Sequence, residues 1–351
     1  MFELGRWIIR KLILGIGGAL VLLAALAGYN VVRFYMFLLP SEEVVFDSGG
    51  VPIAGTLVLP DADGVFPAIL MIHGSGPDTG ADPGYRAEAN VLARRGFAVL
   101  IYAKRGTGKS GGDFATANYS DFIDDALAAL RFLDGRADIG SIGLYGHSEG
   151  GWFTPEIANR FGDIAFIINK SAAPLSWIDT VIWEVRNDLL AEGATPEELE
   201  VLLPLTRARW EYVVAAARDP ATAESMRAPL QQRIEAARAA IPDADGLVAD
   251  LPAPDGERIA WLAERYAYDP APHLAAVHVP MLYVYGETDI NVPVGECVAF
   301  LDRFRADGGN DVTVRVFGGV GHSMTTWRGM FQMLHAPGYL RLVGDWAEAH
   351  R

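Results

Sequence analysis

The stretch SIGLYGHSEGGW, residues 141–152, decides the fold of this chain. SIGLYG is typical of a short buried strand, and the residues after the serine are typical of a helix. Between them, Gly146, Ser148 and Gly150 form the pattern G-x-S-x-G. Small residues two positions before and two positions after the serine let the backbone turn sharply from strand to helix and hold the hydroxyl above the sheet. Ser148 is therefore the predicted nucleophile.

A serine hydroxyl needs a hydrogen-bonded base, which a carboxylate must in turn orient. In this strand-turn-helix context the partners follow the serine in the order acid, then histidine. His322 lies in a glycine-rich loop directly after the predicted strand VTVRVF (312–317), so it is the predicted base. Asp289 follows the predicted strand MLYVYG (281–286) and is the predicted acid, with Glu287 as the alternative.

Three other histidines and one other acid are predicted to lie outside the catalytic set. His73 precedes the serine in the chain and is predicted to form a hydrogen bond within its own loop. His335 and His350 lie near or in the terminal helix and are predicted to be surface residues. Asp302 is predicted to face solvent from a helix.

Acyl transfer builds negative charge on a carbonyl oxygen, and hydrogen-bond donors aimed at that oxygen stabilise the transition state. One predicted donor is the backbone N–H of Glu149, the residue after the nucleophile. The second comes from the loop HGSGP (73–77), where Ser75 N–H is the first choice and Gly76 N–H the second. The carboxylate of Glu149 is favourable at a helix N-terminus on electrostatic grounds alone.

The stretch AKRGTGKS (103–110) raises the alternative of a nucleotide site, because it loosely matches the P-loop and G-x-G-x-x-G patterns. Both patterns need a helix that begins at the loop, since the phosphate binds at the helix N-terminus. Helical spacing of apolar residues begins only at Phe122, with Ser120 as the predicted N-cap. No nucleotide is therefore expected. A net charge of −15 also argues against a nucleic-acid surface.

After residue 40, apolar strands alternate with helical segments, which predicts an α/β fold with a doubly wound, mostly parallel sheet. The predicted elements are a hairpin around Ser48-Gly49-Gly50, strands at residues 68–73, 98–102, 141–146, 164–169, 281–286 and 312–317, and a terminal helix from about Tyr339. The predicted segments are 1–40, a membrane anchor or signal peptide; 41–173, the first part of the core; 174–272, an inserted helical cap; and 273–351, the second part of the core.

The predicted cap differs from the rest of the chain in composition. It carries 18 Asp and Glu against 9 Arg, which gives it a net charge of −9. Its helical stretches are predicted to be broken by Pro204, Pro220, Pro229 and Pro242. Ligands bind beyond the carboxyl ends of parallel strands, so an insertion that leaves from such an end is predicted to roof the site.

The amino-terminal segment from Leu12 to Val32 is uncharged, apolar and long enough to cross a bilayer as a helix. It is preceded by cations at Arg6, Arg10 and Lys11. By the positive-inside rule, the remaining chain would lie on the outer, periplasmic or extracellular side of a membrane. The alternative is a signal peptide cleaved after Ala25-Leu26-Ala27, which would release a secreted protein.

Five motifs follow one another along the chain: HGSGP (73–77), YAKRGTGKS (102–110), GHSEGG (146–151), GETD (286–289) and GGVGH (318–322). In this order they resemble the α/β-hydrolases and, within them, the esterase and serine-aminopeptidase-like group. The resemblance implies that fold across about residues 44–350, and it implies that the loop around Arg105 shapes the floor of the active site. Ala103 stands where the family usually has Asp, so an Asp–Arg pair that braces this loop is expected to be absent or replaced.

These residues predict a serine hydrolase that cleaves a small-molecule carboxylic ester through an acyl-enzyme, with an amide or peptide bond as the second choice. No cofactor or metal is expected, because H-E-x-x-H and paired metal-ligand spacings are missing. The single cysteine, Cys297, is predicted to fill the core. The alternative from a different class is a non-catalytic binding or scaffold protein on a hydrolase fold.

Overall fold

The computed structural model describes residues 15–26, 28–29, 39–241, 250–254, 256–309, 311–326 and 335–351. Its strands are β1 (Ser41–Ser48), β2 (Val51–Val58), β3 (Phe66–Ile72), β4 (Ala98–Tyr102), β5 (Ile139–His147), β6 (Ile167–Lys170), β7 (Met281–Gly286) and β8 (Val312–Phe317). They form one sheet in the order β1-β2-β4-β3-β5-β6-β7-β8. The pairs β1–β2 and β2–β4 are antiparallel, and the others are parallel. The predicted hairpin and the mostly parallel sheet are confirmed.

The helices are α1 (residues 15–26), α2 (Pro83–Ala93), α3 (Tyr119–Asp134), α4 (Glu149–Phe161), α5 (Trp177–Ala191), α6 (Pro196–Arg218), α7 (Pro220–Ala240), α8 (Glu257–Tyr266), α9 (Ala271–Ala276), α10 (Val294–Ala306) and α11 (Tyr339–Ala349). On one face of the sheet, α3, α4 and α10 bury Phe122, Ile157 and Cys297 in a single apolar cluster. On the other face, α2 and α11 bury Leu92 and Tyr339 in a second cluster. The sheet is therefore wound on both faces.

The loop from β4 to α3 separates the glycines of residues 103–110 from any helix N-terminus. α3 begins at Tyr119, and its N-cap is Asn118, whose side chain and that of Asp121 form a capping box. The prediction of Ser120 as the N-cap is therefore wrong by two positions. Asn118 wins because its backbone is extended, as an N-cap requires, and its amide oxygen accepts from the first helical N–H.

Helices α5 to α8 lie between β6 and β7 in the chain and form what we call the cap. They pack around an apolar cluster of their own, which includes Leu202, Tyr212 and Ile234. Pro220 separates α6 from α7 as predicted, and Pro242 lies outside the described residues.

The prediction that Pro204 and Pro229 break the cap helices is wrong. Both lie inside a helix, Pro204 in α6 and Pro229 in α7. Both side chains are exposed. On the solvent side of a helix, water can bind the carbonyl oxygen that a proline leaves without its donor, so the helix continues.

The amino-terminal helix α1 presents exposed apolar side chains, among them Ile16, Leu20 and Val21. Within the part of the chain that is described, we find no helix of the length and apolar character needed to cross a membrane. The predicted membrane-spanning segment from Leu12 to Val32 is thus not supported, and its residues 12–14, 27 and 30–32 lie outside the described residues.

Candidate active site

Ser148 lies between the end of β5 and the start of α4, with φ 51° and ψ −122°. Residues other than glycine rarely adopt positive φ, so the turn is strained. Two glycines make the turn sterically feasible. A Cβ on Gly146 would lie 2.5 Å from Gly151 Cα, and a Cβ on Gly150 would lie 2.3 Å from the carbonyl oxygen of Ile72. The G-x-S-x-G pattern therefore forms the sharp strand-to-helix turn that the sequence predicts.

His322 and Asp289 form a hydrogen-bonded pair beyond the carboxyl ends of β8 and β7. His322 Nδ1 lies 2.8 Å from Asp289 Oδ2 and 3.1 Å from Oδ1. The Asp289 side chain is fully buried, and its Oδ1 accepts hydrogen bonds from the backbone N–H groups of Asn291 (2.9 Å) and Val292 (3.1 Å). A carboxylate fixed in this way holds the imidazole in one orientation.

The other predicted acids and histidines occupy different surroundings. Glu287 accepts a hydrogen bond from the backbone N–H of Gly319 (3.1 Å). Asp302 is half exposed, as predicted. His350 Nδ1 donates to the carbonyl of Trp346 at 2.7 Å.

Ser148 and His322 line the same cavity, which has a volume of about 350 Å³. The core also contributes Ser75, Glu149 and Trp152 to its wall. From the cap come Trp177, Thr180, Val181 and Glu184 on α5 and Arg265 on α8. The cap therefore roofs the cavity, as its position after β6 predicts.

The loop HGSGP (73–77) lies beside the nucleophile. A Cβ on Gly74 would lie 3.2 Å from Ser148 Cβ, and the Gly74 N–H donates to the Tyr85 hydroxyl at 3.0 Å. Ser75 lines the cavity, whereas Gly76 is not among the described residues that line it. Glu149 begins α4, where the first N–H groups of a helix have no acceptor within the helix. Ser75 and Glu149 are thus the two predicted donors that lie at the cavity.

Lys104 is a site residue that the sequence analysis missed. Its side chain is 4% exposed, and its Nζ donates to the Gly74 carbonyl (2.5 Å) and to Glu149 Oε1 (3.1 Å). One cation therefore joins both elements that carry the predicted oxyanion donors. The Glu149 carboxylate therefore forms an ion pair with Lys104 and does not interact with the helix dipole alone. The available signal was a lysine two residues after a buried strand, but its partners are distant in sequence.

Two histidines near the nucleophile, the buried His73 and the half-buried His147, are neutral. Burial lowers the pKa of His73 to about 3, with the Lys104 charge adding to the effect. Among the described residues, neither ring nitrogen of His73 has a hydrogen-bond partner, so the predicted bond within its loop is absent. Burial also lowers the pKa of His147 well below its usual value, and its Nδ1 lies 2.6 Å from the Tyr85 hydroxyl.

His335 is not a surface residue, which corrects the prediction. Its side chain is 5% exposed, and its Nε2 lies 3.4 Å from Glu88 Oε1. Glu88 also accepts from Lys170 Nζ (2.7 Å) and from the Tyr339 hydroxyl (3.0 Å). Burial alone would raise the pKa of Glu88, but the charge of Lys170 and the bond from His335 outweigh it and lower that pKa. The sequence could not show that α2 and β6 bring these charges beneath His335.

Arg105 has other acidic partners in place of the Asp that is missing at position 103. Arg105 makes two hydrogen bonds to Asp125 (2.6 and 2.8 Å) and one to Asp121 (2.6 Å), both on α3. The side chain of Asp125 is buried. Within the described part of the chain, no group of three or more His, Cys, Asp or Glu side chains could hold a metal ion.

The chain is similar to known proteins over most of its length. The chain is 28% identical over 294 residues to Esterase EstD of Thermotoga maritima, which covers 82% of this chain and 61% of that protein. It is 23% identical over 284 residues to acylamino-acid-releasing enzyme 2 of Oryza sativa, covering 79% of this chain and 30% of that protein. The chain therefore spans less than two thirds of the length of either relative.

Solved structures support the fold. An esterase of Pyrococcus furiosus matches with a TM-score of 0.57 at 15% identity, over 89% of this chain and 92% of that chain. Est1E of Butyrivibrio proteoclasticus, with ferulic acid bound, matches with a TM-score of 0.56 at 17% identity, over 88% and 98%. The sequence profile of the X-Pro dipeptidyl-peptidase (S15) family matches residues 49–323. Because this match runs from the β1–β2 turn past His322, the chain belongs to the X-Pro dipeptidyl-peptidase (S15) family, within the α/β-hydrolases.

Proposed function

We propose that this protein is a serine hydrolase that cleaves a carboxylic ester through an acyl-enzyme formed on Ser148. One observation carries the proposal: the buried Asp289 carboxylate holds His322 Nδ1 at 2.8 Å, at a cavity that Ser148 also lines. An amide or peptide bond is the second candidate, which the family membership favours.

The proton assignments follow from the hydrogen bonds of His322. Asp289 is an acceptor for Nδ1, so Nδ1 carries the proton and the lone pair of Nε2 is left to accept the proton of Ser148. The Ser148 oxygen then adds to the substrate carbonyl. His322 gives the proton to the leaving alcohol, whose departure leaves the acyl group on Ser148. Water, activated by the same nitrogen, releases the acid.

The negative charge that develops on the carbonyl oxygen needs fixed donors. We assign the backbone N–H groups of Glu149 and Ser75 to this role, with Gly76 as the reserve. Each such donor contributes about 3 kcal/mol to transition-state stabilisation in related chemistry. Lys104 supports the assignment, since it ties the Gly74 carbonyl to the Glu149 side chain.

A fluorophosphonate probe tests the proposal directly. We expect it to label the wild-type protein and not Ser148→Ala, and we expect the substitution to lower turnover of p-nitrophenyl esters by about 10⁴-fold or more. Circular dichroism of both proteins checks that the fold is retained. A wild-type protein that neither reacts with the probe nor hydrolyses esters or X-Pro amides would instead be a binding protein on a hydrolase fold.

We further propose that residues 1–40 anchor the protein to a membrane, with the catalytic domain on the outer side. The uncharged stretch from Leu12 to Val32 and the exposed apolar side chains of α1 support this proposal. The expected result is a membrane fraction that resists extraction by high salt, and a soluble, active hydrolase once residues 1–40 are removed. A mature amino terminus at Gly28 in the supernatant would instead identify a cleaved signal peptide.

A further inference from the structure

Arg265, in the last turn of α8, brings a positive charge to the wall of the cavity. Its guanidinium lies over the rings of Trp261 and Tyr119, 4.3 and 4.9 Å from their centroids. Nε donates to Asn118 Oδ1 (3.1 Å) and Nη2 donates to the carbonyl of Ala117 (3.0 Å). The side chain is therefore held in place by four neighbours, none of which carries a charge.

The donors of Arg265 are only partly used. A guanidinium has five N–H donors, and within the described part of the chain no acceptor is bonded to Nη1 or to the second proton of Nη2. Among the described residues, no carboxylate forms a salt bridge with Arg265, whereas Arg105 and Arg136 each pair with two. The guanidinium is planar and carries a full positive charge, so its remaining donors match a carboxylate, which can accept two parallel hydrogen bonds from it.

Arg265 and His322 are held by different parts of the core. The Tyr119 ring beneath Arg265 packs edge-on against the rings of Trp152 and Phe153 on α4, at centroid distances of 6.4 and 4.9 Å. His322 follows β8 and is bonded to Asp289 in the loop after β7. Because His322 protonates the leaving group, the leaving alcohol lies on the β8 side and the acyl group extends toward Arg265.

The acidic side chains of the cavity are placed to favour this orientation. The Glu149 carboxylate is paired with Lys104. Glu184 accepts a hydrogen bond from Asn291 Nδ2 (2.7 Å) in the loop after β7, so its charge lies on the leaving-group side. An anionic acyl group is attracted by Arg265 and repelled by Glu184, and both effects direct it away from His322.

From this arrangement we infer that the acyl part of the substrate carries a free carboxylate, which Arg265 binds. The substrate class is then a monoester of a dicarboxylic acid. Ser148 oxygen bonds to the ester carbon, the alcohol leaves with the proton from His322, and water releases the dicarboxylic acid. The inference rests on the proposed hydrolase function and names the substrate class of the same site.

The test compares p-nitrophenyl monoesters of glutaric and adipic acid with the same esters in which the free carboxylate is a carboxamide. The amide has nearly the same shape without the charge. Spontaneous hydrolysis is subtracted for each ester. For at least one of the two chain lengths, we expect wild-type kcat/KM to be at least about tenfold higher for the carboxylate ester than for the matching carboxamide ester. Arg265→Gln should lower kcat/KM for the carboxylate ester about tenfold or more further than kcat/KM for the carboxamide ester, which abolishes the preference, and Arg265→Lys should keep part of it.

Arg258→Gln is the matched control. Arg258 lies on α8 and over the same Trp261 ring, at 5.8 Å, but is not among the described residues that line the cavity. It should retain the preference. Equal rates for both esters in a wild-type protein that fluorophosphonate labels at Ser148 would overturn this inference alone. An equal loss of kcat/KM for both esters in Arg265→Gln would also overturn this inference, because Arg265 would then only hold the cap against the core. Absence of both labelling and hydrolysis would overturn the proposed function with it.

Discussion

The core and the cap contribute to one cavity in different ways. In the core, the groups around Ser148 are buried and fixed by backbone N–H groups, strained turns and ion pairs, as for Asp289 and Lys104. The cap packs around an apolar cluster of its own and meets the core through side chains, by apolar packing of Trp177 and Val181 and by hydrogen bonds. From this difference we expect the core to perform the proposed chemistry and the cap to select the substrate.

The largest effects are expected in the core, at the histidine and its acid. His322→Ala and Asp289→Asn should each lower kcat by about 10³- to 10⁴-fold, the first by removing the base and the second by favouring the wrong tautomer. Steady-state kinetics with p-nitrophenyl butyrate measures both.

Glu287→Gln is the matched control for Asp289→Asn. Its carboxylate binds the Gly319 N–H rather than the imidazole, so kcat should stay within about twofold. If Glu287→Gln were the more damaging of the two variants, Glu287 would be the acid and the assignment of Asp289 would be wrong.

The outcome in the core shows what a sequence can predict. Strands β4 and β7 coincide with the predicted runs, because buried parallel strands are continuous apolar segments. The edge strand β8 also coincides with its predicted run, in which apolar residues alternate with Thr313 and Arg315. The order serine, acid, histidine then selected Asp289 and His322, which the structure brings into contact. That contact depends only on which strand ends carry which residues, and topology fixes those ends.

Lys104 and His335 could not be placed in the same way. A lysine after a strand and a histidine near a terminal helix are ordinarily solvated. Their burial depends on partners far away in sequence, Glu149 for the first and Glu88 for the second. Tertiary packing alone decides that, and no local pattern contains it.

The next effect tests whether Lys104 positions the oxyanion donors. Lys104→Met leaves the Glu149 carboxylate buried and unpaired, which should cost about 3–5 kcal/mol of unfolding free energy. Adding Glu149→Gln removes that charge and should restore most of the stability. Both variants lack the hydrogen bond from Lys104 Nζ to the Gly74 carbonyl. In the double variant kcat should therefore remain about tenfold or more below wild type.

Urea unfolding and ester kinetics on the single and double variants separate the two roles of Lys104. Full recovery of kcat together with stability would mean that Lys104 only neutralises Glu149 and positions nothing.

A smaller effect is the pH dependence of the free energy of unfolding. Residues 174–272 contain no histidine, so the part of this dependence that comes from histidine arises in the core. The pKa of His73 is about 3 in the fold and about 6.5 in the unfolded chain. Between these values the unfolded state binds more protons, so stability is present above pH 6.5 and is lost as pH falls toward 3. At pH 5 the loss from His73 is about 2 kcal/mol.

His73→Phe should remove this loss and keep the ring contacts. Neither nitrogen has a hydrogen-bond partner among the described residues, with Nε2 3.8 Å from Asp78 Oδ1, and the ring packs edge-on against Tyr85 and Tyr102. Urea unfolding at pH 7 and pH 5 measures the difference, to which His147 contributes equally in both proteins. The same decline in His73→Phe as in wild type would show that His73 is not the group that titrates.

The smallest effect is expected where the cap touches the catalytic machinery. Asn187, on α5, donates to the carbonyl of Ile290 (2.7 Å), one residue after the acid Asp289. Asp289 itself is held by core backbone groups, so loss of this tie should cost about 1 kcal/mol of local stability and little chemistry. Asn187→Ala should therefore speed hydrogen exchange in α5, yet change kcat for p-nitrophenyl butyrate by less than about threefold. Asn159→Ala, which removes a comparable bond to the His273 carbonyl (2.7 Å) away from the cavity, is the control. A loss of kcat in Asn187→Ala approaching that of Asp289→Asn would place the cap among the groups that perform the chemistry, and the division between core and cap would no longer hold.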